Sequence, residues 1–427
     1  MTALVKDVAI LDPMPGYQRL AICRDGILTD VFIADASDLS PSPGAIYLAR
    51  VAERFPSHGR VWLNLGEDGK ASMRLKNAAD WPSGKLILIT IQAEARENKP
   101  PQAREGMIRE NPYAIIQCLC PEPQGVYFSR RLKQALEDQT SPDIDSITRH
   151  LETLSASVKA RITLRLSAHL AAPDQVLSSI KADVDALDEV MLKAKDKTTP
   201  GALAQSPDLQ RLCSLTLPHQ LPNQEIIKDD DGIAWAEANI DQQIEAALSP
   251  SLPLSSGGLL LINTPPGAAV IDGDSADSRL SPSELAHEMI TPLAIQLRLR
   301  RISGPVVIDF PRLHRPDADS VHRYMAEAVA ADPFPPHLYG WTKGGLYTLD
   351  RPYRWRRLDQ LLGNKTKTEA ITALRLAWQQ SQGKGGDGKP CDIAMGKSAM
   401  TWLETEGRPV RDAMTAALPL PPHWIIL

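Results

Sequence analysis

Residues 257–275 read GGLLLINTPPGAAVIDGDS, and residues 305–310 read PVVIDF. Each holds an apolar run of strand length that ends on an aspartate, Val270-Ile271-Asp272 and Val306-Val307-Ile308-Asp309. The Pro-Pro-Gly break makes the first stretch a hairpin of strands 258–263 and 268–272. Residues 281–300 read as a helix before the second run, so strands and helices alternate as in an α/β layer. Active sites in such layers gather at strand ends, where two converging carboxylates make a hard, all-oxygen pocket suited to Mg²⁺ or Mn²⁺. Aspartate also ends strands merely by starting a turn, and spacing alone leaves both readings open.

Working outward, 318–331 reads as a further helix, and paired strands around Leu338 and Leu346 complete the α/β unit. The tail from about residue 366 gives a helix, a Gly/Lys loop, another helix near Met400 and a closing strand at 424–427. Toward the N-terminus, Ile144, Ile147, Leu151, Leu154 and Val158 predict a helix over 143–160, and Val176, Ile180, Val184, Leu187 and Val190 one over 174–193. Residues 161–166 alternate as a strand, 198–207 has linker composition, and 232–248 reads as one amphipathic helix. The opening 7–35 is hairpin-rich. Closely spaced short strands at 46–55, 60–65, 70–75 and 85–93 predict a small antiparallel barrel of the OB type.

With 47 Lys+Arg against 52 Asp+Glu in 427 residues, the net charge of -5 excludes a uniformly basic nucleic-acid coat but not local basic patches. Five cysteines are too sparse for a disulfide framework, and Cys118 and Cys120 have no matching downstream pair, so zinc is not expected. The start shows no signal-peptide pattern and no apolar run reaches membrane-spanning length, so a cytoplasmic protein is expected. Residues 383–389 match the first seven positions of a phosphate-binding loop, but Pro390 stands where its Ser/Thr hydroxyl belongs; the segment reads as a flexible loop. His287-Glu288, His314 and His322 lack metal-ligand spacing. Three basic clusters, 130–133, 298–301 and 351–357, read either as solvated faces or as grips on a single-stranded polyanion.

The ordered set 240–247, 254–258, 270–275, 296–300 and 307–310 resembles the catalytic half of the ribonuclease E/G family. The resemblance implies an α/β multidomain chain with ribonuclease-H-like and deoxyribonuclease-I-like catalytic parts and an inserted OB-type barrel. Its implied divisions are a ribonuclease-H-like part at 1–36 and 201–250, the barrel at 37–99, a 5′-end sensor-like region at 100–200, a metal-binding catalytic subdomain at 251–362 and a small C-terminal domain at 363–427. It further implies internal cleavage of single-stranded RNA to 5′-phosphate and 3′-hydroxyl ends, with Mg²⁺ or Mn²⁺ held by Asp272 and Asp309.

Asp274 stands where the family has Asn, which gives either a third ligand or a charge that misplaces the ion. Trp62 takes a position where the family stacks a base on Phe, and Met73 one where a second aromatic is common. Arg96 and Lys99, from Arg96-Glu97-Asn98-Lys99, match an RNA-contacting loop. Arg165, followed by Leu166, matches the 5′-monophosphate sensor. Arg130, Arg131 and Lys343 complete the expected RNA contacts. No Cys-x-x-Cys lies between Arg351 and Thr366, so zinc-linked tetramers are not expected, and a homodimer is the assembly the resemblance leaves open. The alternative is a catalytically weakened RNA-binding protein of the same family.

Overall fold

The computed structural model describes residues 7–74, 81–96, 99–137, 141–216, 226–382 and 390–427. The phosphate-loop-like 383–389 and the Glu97-Asn98 pair lie outside the described residues. The chain divides into one unit of Met1–Asp38 with Glu225–Leu427 and a second of Leu39–Gln224.

The first unit opens with antiparallel strands β1 (Asp7–Asp12), β2 (Tyr17–Arg24) and β3 (Ile27–Asp35). Asp25 and Gly26 both take positive φ, 49° and 79°, the two-residue turn whose twist suits a hairpin.

The second unit begins with β4 (Ile46–Phe55), β5 (Arg60–Asn64), β6 (Lys70–Arg74), β7 (Leu86–Ala93) and β8 (Gln102–Glu105). Their order β4-β5-β6-β8-β7, with β7 returning to β4, closes a five-stranded barrel. Closure depends on the length of β4, which pairs with β7 along its first half and with β5 along its second. Val61, Leu63, Ala71, Met73, Ile89 and Ile91 fill the interior. Next come β9 (Met107–Glu110), β10 (Ala114–Cys118), β11 (Gly125–Phe128), α1 (Arg130–Leu136), α2 (Pro142–Val158), β12 (Ala160–Leu164) and α3 (Pro173–Lys195). The periodic residues of α2 and α3 pack against sheet β11-β12-β10-β9. The chain leaves α2 through Lys159 at φ 52°. Segment 198–207, expected to be a linker, instead contributes β13 (Gly201–Ala204), which pairs with β4. An edge strand that inserts little more than Leu203 has no periodic signature to read. The short α4 (Leu209–Thr216) follows.

Back in the first unit, β14 (Ile227–Lys228) joins β1 in parallel. The helix expected over 232–248 is two, α5 (Ile233–Glu237) and α6 (Ile240–Leu248). Asn239 at φ 52° breaks it, so that Trp235, Ile240 and Ile244 reach one core. Then follow β15 (Ser251–Pro253), β16 (Leu259–Asn263), β17 (Ala269–Asp274), α7 (Pro282–Leu299), β18 (Gly304–Asp309), α8 (Arg315–Ala328), β19 (His337–Trp341) and β20 (Tyr347–Arg351). These strands order as β15-β16-β17-β18-β20-β19. Helix α7 starts on a Ser281/Glu284 capping box, which satisfies the amides that its first turn would leave bare. The C-terminal part holds α9 (Leu358–Leu362), α10 (Lys365–Gln382), β21 (Asp392–Met395), α11 (Lys397–Glu404), α12 (Arg408–Ala417) and β22 (His423–Ile426), with β21 and β22 parallel.

Among the described residues no helix is long and apolar enough to cross a membrane, and all five cysteines are free thiols. Burial pushes Cys23 and Cys118 up from an ordinary 9.0 to about 11. A raised folded value favours the protonated thiol, so this stability is whole below pH 9.0 and lost as pH rises through about 11. Urea midpoints of the wild type should therefore fall across this window, and the fall should flatten in Cys23→Ala/Cys118→Ala.

Candidate functional site

The sheet of β15 to β20 has two unlike faces. Leu260, Ile262, Ile271, Val306, Ile308 and Tyr347 point down into a core closed by Leu285, Met289 and Leu293 of α7 and by Val321 and Met325 of α8. Strand alternation then turns Asp272, Asp274 and Asp309 to the other face, where all three are exposed. Strands β17 and β18 run parallel with Asp272 opposite Asp309. Neighbouring strands lie about 4.8 Å apart, so both carboxylates leave the same end of the sheet side by side. Neither has a hydrogen-bond or ion-pair partner among the described residues. Like charges set directly opposite on adjacent strands oppose folding.

The donor set fits a hard cation: two anionic oxygen donors, exposed and uncommitted. Among the described residues no group of three or more His, Cys, Asp or Glu side chains gathers to hold a metal. Asp274 shares the face, but its Oδ1 accepts from Ala276 N at 2.9 Å and so fixes the turn that leaves β17. Gly273 lies between the two aspartates, where a Cβ would stand 2.2 Å from Met289 Cε and 3.4 Å from the Asp309 carbonyl. Met289 is fully buried, so Gly273→Ala is expected to overpack the sheet against α7 by about 1–3 kcal/mol, read as a lowered urea midpoint with an unchanged slope.

Lys343 is exposed in the turn between β19 and β20, closed by Thr342 N donating to Leu346 O at 2.8 Å. Because β20 runs antiparallel to β18 with Tyr347 opposite Ile308, that turn sits at the Asp309 end of the sheet. The structure therefore brings Asp272, Asp309 and Lys343 to one end.

In the second unit, Trp62 lies on the outer barrel wall, partly exposed, between Glu53 and Ser72. Met73, at 3% exposure, fills the barrel interior. Arg96 N donates to the Lys99 carbonyl at 2.9 Å and Lys99 N to the Arg96 carbonyl at 2.5 Å. Arg165 donates to Glu110 Oε2 at 2.8 Å, so this guanidinium stands in an ion pair. Arg130 and Arg131 open α1 just after the Ser129 cap.

The basic clusters of the first unit serve largely inside the protein. Arg298 pairs with Asp30 at 2.6 Å with both side chains buried, and Arg351 pairs with Asp332 at 2.8 Å. Arg300 bonds Gln296 at 2.6 Å and the Ser249 carbonyl at 2.7 Å. Arg356 pairs with Asp38 and Arg357 with Asp359. Cation runs look alike in sequence whether solvated or buried. The readable sign was the partner, a charge such as Asp30 amid Val31 and Phe32 in a strand.

A family profile described as the ribonuclease E/G family matches residues 109–353. Ribonuclease E of a Synechocystis species is 23% identical over 375 residues, 76% of this chain and 54% of that protein. Ribonuclease E of a Nostoc species is 22% identical over 373 residues, 75% of this chain and 52% of that protein. A ribonuclease E/G-like protein of Porphyra purpurea is 28% identical over 134 residues, 29% of this chain and 26% of that protein. The chain spans about half the length of the two ribonucleases E. The matched segment carries Arg165, Asp272, Asp309 and Lys343 and exceeds half of the 427 residues: the chain belongs to the ribonuclease E/G family.

Proposed function

We propose that this chain is a divalent-metal-dependent endoribonuclease that cuts single-stranded RNA to 5′-phosphate and 3′-hydroxyl ends, and that Asp272 and Asp309 hold the ion. The observation that carries this reading is the register pair itself, two exposed aspartates opposite each other without a cationic partner among the described residues. A fold keeps such a repulsive pair where a ligand offsets it. A bound Mg²⁺ or Mn²⁺ supplies a water of lowered pKa and neutralises charge on the attacked phosphate. The chain's own groups do the rest: two carboxylates orient the ion, Lys343 attracts the phosphate chain, and the Asp274 turn stiffens the strand end. Trp62 offers a face for stacking a base. Arg96, Lys99, Arg130 and Arg131 contribute backbone contacts, and Arg165 is the candidate 5′-phosphate contact once Glu110 yields.

In this reading the ribonuclease-H-like part combines 1–36 with 201–250; β14 joining the sheet of β1, β2 and β3 supports it for the stretch from residue 225 on, while β13 pairs with β4 in the second unit. The catalytic subdomain is 251–362, built on the sheet that carries the aspartates. The second reading, an RNA binder with a weakened site, is favoured by the commitment of Asp274 to Ala276 and by the lack, among the described residues, of a third gathered ligand.

A 5′-monophosphorylated single-stranded RNA, incubated with Mg²⁺ and with a chelator, separates them. Cleavage only with the ion supports the nuclease, and retention without cutting supports the binder. Asp274→Asn can still accept from Ala276 N through its amide oxygen. It is expected to keep or raise activity, and a loss of roughly a thousandfold would make Asp274 a direct ligand.

A further inference from the structure

We infer that Tyr339 is a stacking platform for one base of the bound RNA, set beside the Asp272–Asp309 pair. The inference rests on reading that pair as the place of cleavage. Strand β19 is the edge of the sheet, bonded to β20 alone. Its register shifts between Leu338, opposite Leu349, and Gly340, opposite Thr348. Leu338 and Trp341 both pack on the helix-covered side, which leaves one extra residue between them. Bulges of this kind re-aim a side chain. Here the residue re-aimed is Tyr339, which is 65% exposed. Its ring meets His337 edge-on at 4.7 Å and 81°, as expected for side chains two apart on one face of a strand.

That face is the one that carries the carboxylates. Thr348 lies opposite Val307, and Val307 opposite Val270, while Val270 and Val307 each precede their aspartate by two residues. Gly340 ends the rung next to the carboxylate rung, and Tyr339 is the unpaired bulge residue immediately beside it. At about 4.8 Å between strands and about 3.3 Å per residue, its backbone lies roughly 12 Å from that of Asp309. Val270, 44% exposed, and Val307 give the rung an apolar floor rather than a charged one. A single exposed tyrosine would mean nothing alone. This one packs against a second ring, is well exposed, and lies at the end of the rung beside the carboxylates. Base–aromatic stacking needs such a surface and tolerates any base.

The test uses the full chain and single-stranded RNAs carrying one 2-aminopurine at successive positions, bound in the presence of a chelator. Stacking should quench the fluorophore at one position near the cut bond. Tyr339→Ala should abolish that quench, raise KM roughly tenfold and leave kcat within about twofold, whereas Tyr339→Phe should retain both. Unchanged melting temperatures keep the comparison free of folding effects. If the wild type cuts RNA but Tyr339→Ala matches it in quench and KM, the platform is refuted and the nuclease stands. If the wild type cuts nothing but Tyr339→Ala still loses the quench, the platform stands and the nuclease reading fails. A change in oligomeric state with RNA binding intact would assign Tyr339 to a protein interface and overturn the inference.

Discussion

Asp309→Asn is expected to lower cleavage of single-stranded RNA by roughly a thousandfold while leaving RNA affinity within about twofold. The substitution keeps the shape of the side chain and removes one of two anionic donors to a hard ion. Among the described residues Asp309 makes no ion pair with any cation, so RNA affinity has no reason to fall. A second sign separates this from simple damage. Asp272 and Asp309 oppose each other in register, and exposed like charges so placed cost a few tenths of a kcal/mol. In metal-free buffer Asp309→Asn should therefore be as stable as the wild type or slightly more so. Added Mg²⁺ or Mn²⁺ should raise the melting temperature of the wild type and not that of the variant, because an ion that binds the folded state stabilises it by mass action. Wild-type cleavage by the variant, or equal thermal response to the ion in both proteins, would remove Asp309 from the site.

The sequence showed this site better than its surroundings, for a physical reason. Val270-Ile271-Asp272 and Val307-Ile308-Asp309 each carry their information locally, as an apolar run that must be buried and a charge that cannot be, so strand, end and exposed carboxylate can be read from a few residues. The Asp25-Gly26 turn is legible in the same way, since its two positive φ values restrict residue type. Three other features are not local. Strand β13 owes its pairing to β4, far upstream. The break at Asn239 is decided by the core that Trp235 and Ile244 must share. The burial of Arg298 and Arg351 follows from Asp30 and Asp332, which no spacing rule connects to them. Met73 shows the same limit from another side, because a one-residue choice of face decides whether a barrel side chain meets RNA or core.

Asp12→Ala is expected to cost about 3–5 kcal/mol of stability, the largest loss foreseen for a single side chain outside the carboxylate site. Asp12 ends β1, and its Oδ2 accepts from Arg19 Nε at 2.9 Å and from Arg375 Nε at 2.6 Å, with Asp12 and Arg19 buried and Arg375 largely so. Without it the two cations do not fare alike. Arg19 keeps Asp241 at 3.0 Å and the face of Trp235 at 4.0 Å, so it retains a counter-charge and a stacking partner. Arg375 has no such reserve. Burial, and then the Arg19 charge, already hold its pKa below the ordinary guanidinium value, and one of its buried nitrogens makes no hydrogen bond. Arg375 sits on α10, so the penalty falls on the attachment of the C-terminal helices to the N-terminal sheet. Urea unfolding should show the loss, and Asp12→Leu/Arg375→Leu should recover much of it, since apolar replacements remove the stranded charge as well as its partner. A loss below about 1 kcal/mol for Asp12→Ala would mean that water reaches Arg375, and that the pair contributes no more than one at the surface.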